Sequence, residues 1–64
     1  TLIGMDRAKE IALQDAGADP EKASFSKIKF ERDSRKVIYE IEFYYDHEEM
    51  EYTIDAYSGE IEWD

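Results

Sequence analysis

Cysteine is absent from this chain, which excludes disulfides and thiolate metal sites and leaves apolar burial to carry stability. The absence assigns no compartment, because a reducing cytoplasm and many bacterial extracytoplasmic domains both suit cysteine-free sequences. Proline is limited to Pro20. The three glycines Gly4, Gly17 and Gly59 stand apart from one another, so no glycine-rich phosphate loop is present. No apolar run is long enough to cross a bilayer as a helix, and no signal-peptide pattern is seen. The segment opens on Thr1 rather than Met and reads as one domain, residues 1–64, excised from a longer secreted or envelope protein. Basic side chains are scarce: 8 against 17 acidic ones, a net charge of −9. That field repels nucleic acid phosphates and anionic lipid, so neither nucleic acid nor direct membrane insertion by this segment is expected.

What is abundant is aromatic: three Phe, five Tyr and one Trp. A domain of 64 residues buries only about 60% of the surface its unfolded chain exposes, so these large side chains are the natural suppliers of a core. A helical period comes first. Met5, Ala8, Ile11, Ala12 and Ala16 recur at three- and four-residue steps, Asp6 favours the first turn, Gly4 is placed as the N-cap and Gly17 as the stop. Pro20 then marks a loop. The small alanines allow the helix to sit close to whatever it covers.

From Ala23 onward the period is two. Ile28 and Phe30 share a face, as do Val37, Tyr39, Ile41, Phe43 and Tyr45, then Met50, Tyr52, Ile54 and Ala56, then Ile61 and Trp63. The connections Asp33-Ser34-Arg35-Lys36, Asp46-His47-Glu48-Glu49 and Tyr57-Ser58-Gly59 are short and polar, which predicts an antiparallel meander. In the last of these, Tyr57 and Ser58 suit the centre of a type I turn with Gly59 left-handed. The expected fold class is therefore α+β, one N-terminal helix on one face of a four-stranded antiparallel meander sheet. Parity predicts Ile28 opposite Ile41, Phe30 opposite Tyr39, Phe43 opposite Tyr52, Ile41 opposite Ile54, Ile54 opposite Ile61 and Tyr52 opposite Trp63, with a two-residue slip of the first hairpin as the alternative.

The other sheet face carries Lys27 opposite Glu42 and Lys29 opposite Glu40. The same register sets Glu40 opposite Asp55, with Glu51, Glu60 and Glu62 nearby. Acid exceeds base there, and Ile38 and Tyr44 interrupt it with apolar surface. Ile38, Glu40, Glu42, Tyr44, Glu51 and Glu62 are the candidate partner-binding residues, weighed against the plainer reading of a solvated face that keeps the domain soluble. Catalysis finds no support: His47 lies in a turn among acids, and Ser24, Ser26, Ser34 and Ser58 have no nucleophile motif around them. Asp46, His47, Glu48 and Glu49 could hold Ca²⁺ weakly, but the glycine and alternating spacing of an EF-hand loop are missing, so neither a metal site nor a cofactor is assigned.

Arg7-Ala8-Lys9-Glu10-Ile11-Ala12-Leu13, then Tyr39-Glu40-Ile41-Glu42-Phe43, then Glu51-Tyr52-Thr53-Ile54-Asp55-Ala56 and Ser58-Gly59-Glu60-Ile61 together resemble the PepSY domain family, the peptidase propeptide and YpeB-like domain, nearly end to end. The family's recurring positions fall on Ala8, Ala12, Tyr39, Ile41, Tyr52, Ile54, Asp55, Gly59 and Ile61. The resemblance brings no catalytic residue. It implies a non-enzymatic, extracytoplasmic protein-binding module, secreted or in the cell envelope, that inhibits or regulates a secreted peptidase, with a metallopeptidase as a possible partner. The alternatives are a structural spacer or sensor module of a larger envelope protein, and an acidic dock for a basic protein.

Overall fold

The computed structural model describes residues 1–63; position 64, the end of the span read as one domain, lies outside the described residues. Its elements are α1 (Met5–Ala16), β1 (Ser24–Arg32), β2 (Val37–Tyr45), β3 (Glu48–Asp55) and β4 (Ile61–Glu62). The strands form one antiparallel sheet in the order β1-β2-β3-β4, and α1 packs against β2 and β3. The fold is the α+β meander that the change of period from 3.6 to 2 predicts.

Helix α1 starts at Gly4, whose carbonyl accepts the Ala8 N–H at 3.1 Å. It ends in a Schellman arrangement: Gly17 turns left-handed (φ 67°), its N–H donates to Gln14 O at 3.2 Å, and the Ala18 N–H donates to Leu13 O at 2.9 Å. Ala8 and Ala12 are fully buried, so the helix backbone lies close on the sheet. Leu13 is buried as well, which the sequence-derived face of Met5, Ala8, Ile11, Ala12 and Ala16 omits; Met5, Ile11 and Ala16 are only half-buried at its margins. The remaining core comes from alternate residues of the central strands: Tyr39, Ile41 and Phe43 from β2, Ile54 from β3, and Ala56 just beyond it.

The predicted register holds at both outer ladders. Ile28 faces Ile41, Phe30 faces Tyr39, Lys27 faces Glu42 and Lys29 faces Glu40; Ile54 faces Ile61. A bulge between Phe25 and Lys27, which the alternation does not reveal, lets Phe25 face Phe43 on the core side. Tyr52 and Trp63 meet edge-on at 6.3 Å, consistent with their expected pairing.

The central ladder differs by two residues. Phe43 faces Met50, Ile41 faces Tyr52 and Tyr39 faces Ile54, so the expected pairs Phe43 with Tyr52 and Ile41 with Ile54 are corrected. The physical reason is the turn. Asp46 and His47 both take positive φ (53° and 67°) and connect Tyr45 directly to Glu48, a two-residue loop where the sequence suggests four. A two-residue slip preserves which face each side chain meets, so the apolar pattern tolerates either register and only the turn selects one.

The expected burial of three residues also changes. Ile28 and Phe30 remain 37% and 39% exposed, and Trp63 72%, although all three have core parity. Ile28 and Phe30 sit on the outer strand β1 and Trp63 lies just beyond β4, whereas α1 lies over the centre.

Candidate protein-binding face

The face opposite α1 is built by the residues between the core positions. From β2 it presents Ile38, Glu40, Glu42 and Tyr44, from β3 Glu49, Glu51 and Thr53, from β1 Lys27, Lys29 and Glu31, and from β4 Glu62. All six candidate residues fall on it. The corrected register rearranges them: Glu42 faces Glu51 directly, Glu40 faces Thr53 rather than Asp55, and Ile38 faces Asp55. Two like charges opposite each other in a ladder repel, so the Glu42 and Glu51 pair is an electrostatic cost that a cationic group could relieve.

Two lysines offset part of the negative charge of this face. Lys27 Nζ lies 3.3 Å from Glu40 Oε1 and 3.6 Å from Glu42 Oε2, and Lys36 Nζ lies 3.0 Å from Glu62 Oε1. The hydrogen bond and charge of Glu40, then the charge of Glu42, hold the Lys27 ammonium above the usual lysine range. Lys29 binds Glu31 at 2.9 Å, and that hydrogen bond holds the Glu31 carboxyl below the usual carboxylate range. Between these bridges the surface dips into a shallow depression of about 240 Å³ bounded by Glu40, Glu42, Glu51, Thr53, Glu62 and Trp63. Lys27 and Lys36 reach the candidate acids and Trp63 borders them, three residues the sequence-derived set lacks. The strand alternation around Lys27 was the available signal, whereas Lys36 and Trp63 come close only through the folded sheet.

The apolar members differ. Tyr44 is 50% exposed, while Ile38 is half-buried and so offers less anchor than expected. The Glu49 carboxylate beside the Tyr44 hydroxyl, by charge and then by hydrogen bonding, pushes the phenol up and keeps it neutral. Glu60, placed on this face by alternation, belongs instead to the connection before β4.

That connection is held by Asp55. Its Oδ1 accepts the N–H groups of Tyr57 and Ser58, each at 2.8 Å, and its backbone carbonyl accepts the Gly59 N–H at 3.0 Å. The hydrogen bonds from Ser58 and Tyr57 hold the Asp55 carboxyl below the usual carboxylate range; those from Arg35 and Lys36 do the same for Asp33 in the β1–β2 turn. Folded values lower than unfolded ones give a contribution that is present above the unfolded value of about 4 and lost as pH falls through the folded value. The expected result is a melting temperature that drops on acidification below about pH 4, with a shallower drop in the double variant Asp33→Asn, Asp55→Asn, read by circular dichroism. An unchanged slope would remove these two carboxylates from the acid response.

The Asp46 to Glu49 segment does not form a cage. Asp46 and His47 are the turn, while Glu48 and Glu49 begin β3 and alternate across the sheet. Among the described residues, no group of three or more His, Asp or Glu side chains is arranged to hold a metal ion.

The family signature runs through the elements that frame this face. Residues 2–62 match the sequence family described as the peptidase propeptide and YPEB domain, PepSY. The chain belongs to the PepSY family. An uncharacterized protein of Streptococcus pyogenes is 43% identical to it over 59 residues, which is 92% of this chain and 45% of that relative. The chain therefore spans less than half the length of the relative it matches. No solved structure matches it. PepSY domains are typically extracytoplasmic and are generally non-catalytic modules of the propeptide or regulatory kind. No helix among the described residues is long and apolar enough to cross a membrane.

Proposed function

We propose that this PepSY domain is a non-enzymatic protein-binding module that restrains or regulates a secreted peptidase, docking through the sheet face that carries Ile38, Glu40, Glu42, Tyr44, Glu51 and Glu62. The supporting observation is that the helix covers one face of the sheet only, leaving an acidic face on which Glu42 and Glu51 stand opposed and Tyr44 is half exposed. A basic patch on the partner would relieve that repulsion, and Tyr44 would supply apolar contact. Secretion to the same side of the membrane as the peptidase, and residence within a longer secreted or envelope protein, belong to this reading.

The test is to add the domain to a secreted bacterial metallopeptidase and follow hydrolysis and complex formation. Slowed hydrolysis is expected, with binding weakened about tenfold or more between low salt and 0.5 M salt, since exposed charges are screened over a few ångströms there. Glu51→Lys should weaken it in the same direction. Unchanged hydrolysis with no detectable complex would sink this reading.

A second reading is favoured by one fact: more than half of the Streptococcus pyogenes relative lies outside the match. A spacer or sensor module of a larger envelope protein would fit that proportion. Deleting the domain from its full-length protein separates the two, because a spacer is replaceable by an unrelated domain of similar size, whereas a peptidase regulator is not.

A further inference from the structure

Six of the eight basic side chains lie between Lys22 and Lys36, with only Glu31 and Asp33 as acids, so the β1–β2 hairpin is a basic edge on a chain of net charge −9. At the opposite edge β4 carries Glu62, with Glu60 in the connection just before it. Both edges also leave apolar groups of core parity in water: Ile28 and Phe30 on β1, and Trp63 beyond β4, are among the six most exposed large apolar side chains of the described residues.

Backbone geometry adds a third match. The Asp33 N–H donates to Lys36 O, so in β1 the odd-numbered residues turn their backbone groups toward β2, and Ile28, Phe30 and Arg32 turn theirs outward. The Asp55 N–H donates to Glu60 O, so Ile61 and then Trp63 turn theirs outward on the other edge. The free backbone groups and the uncovered apolar side chains thus belong to the same residues at each edge.

We infer that a second copy of this chain docks here edge to edge, its β1 pairing antiparallel with β4 of the first so that the meander continues from one copy into the next. Setting Ile61 opposite Phe30 places Trp63 opposite Ile28 on the helix-side face, and on the other face it places Glu62 opposite Lys29 and Glu60 opposite Glu31. Apolar meets apolar at two positions and Glu62 meets Lys29, against a single like-charge pair, Glu60 with Glu31. Self-pairing of like edges is poorer: β4 against β4 about Ile61 sets Glu60 against Glu62 twice, with no base opposite either. Pairing β1 with β1 about Phe30 matches Lys29 with Glu31, but it brings two basic hairpins together and leaves Trp63 in water. The contact is heterologous, so association is open-ended unless a ring closes. This inference is independent of any peptidase partner.

Trp63 is the chain's one tryptophan and makes the test direct. The intact 64-residue chain is diluted from about 1 mM to about 10 μM, a range suited to an interface smaller than ~1,200 Å². Sedimentation and tryptophan emission are then read together. The expected result is a sedimentation coefficient that rises with concentration, accompanied by a shift of emission to shorter wavelength as Trp63 is covered. Lys29→Glu or Glu62→Lys alone should abolish both changes, and an equimolar mixture of the two variants, in which every junction is again acid against base, should restore both. Circular dichroism confirms that each variant is folded, as expected for exposed or half-exposed sites. A monomer throughout the range overturns the inference. So does an oligomer that leaves the emission unchanged and is indifferent to Glu62→Lys, since that is the behaviour of β1 paired with β1.

Discussion

Phe43→Ala is expected to leave the isolated domain largely unfolded at 25 °C, with no cooperative transition on heating. Phe43 is fully buried in the C-terminal half of β2, its ring 5.5 Å from that of Phe25 and 6.1 Å from that of Tyr52, to which it lies nearly parallel at 5°. Removing a buried phenyl group costs about 3–5 kcal/mol through lost transfer energy and the cavity left behind. A single core in a chain this short supplies only about 3–5 kcal/mol in total. The two quantities match, so one substitution is enough. Its neighbour makes the control: Tyr44 is 50% exposed on the opposite face, and Tyr44→Ala should change stability by no more than about 0.5 kcal/mol. A Phe43→Ala protein that melts like the native one would place the core elsewhere.

Gly59→Ala is expected to destabilise by about 2 kcal/mol, because two penalties coincide there. Gly59 has φ 78°, which a side chain adopts only with strain, and a Cβ would stand 3.2 Å from Ile11 Cδ1 and 3.8 Å from Ile3 Cδ1. Gly17 separates the two. Its φ is 67°, yet a Cβ there would meet nothing within 4 Å, so Gly17→Ala should cost only the backbone strain, about 1 kcal/mol. Urea midpoints of the two variants measure the difference, which isolates the approach of α1 to the β3–β4 turn. Equal losses would mean that Ile11 moves aside freely.

The comparison of these glycines shows what a linear reading captures. That Gly59 is left-handed follows from its place in a Ser-Gly turn between alternating segments; that it also lies under Ile11 follows from the helix crossing the sheet, which no local pattern encodes. The candidate face has the same division. Alternation around Ile41 and Phe43 put Glu40, Glu42 and Tyr44 on one side correctly, since side-chain parity is a local property of a strand. Which acids face each other was not legible, because it depends on the hairpin at Asp46 and His47. Neither residue is glycine, and positive φ at two successive non-glycine positions is uncommon, although Asp and His are among the side chains that tolerate it best. The two-residue turn moved Glu51 from a neighbouring place to a position opposite Glu42, and so created the like-charge pair on which the docking proposal rests.

Sequence by itself determined the helix and its limits, the four strands, the parity of the residues within each strand and the family, because each depends on local periodicity, glycine conformation or residue order. Tertiary structure alone decided the central register, the depth at which Ala8 and Ala12 bring α1 onto the sheet, and the exposure of Ile28, Phe30 and Trp63. Parity tells which way a side chain points, but burial requires something to lie over it. A helix of 12 residues covers the middle of this sheet and leaves its edges to water.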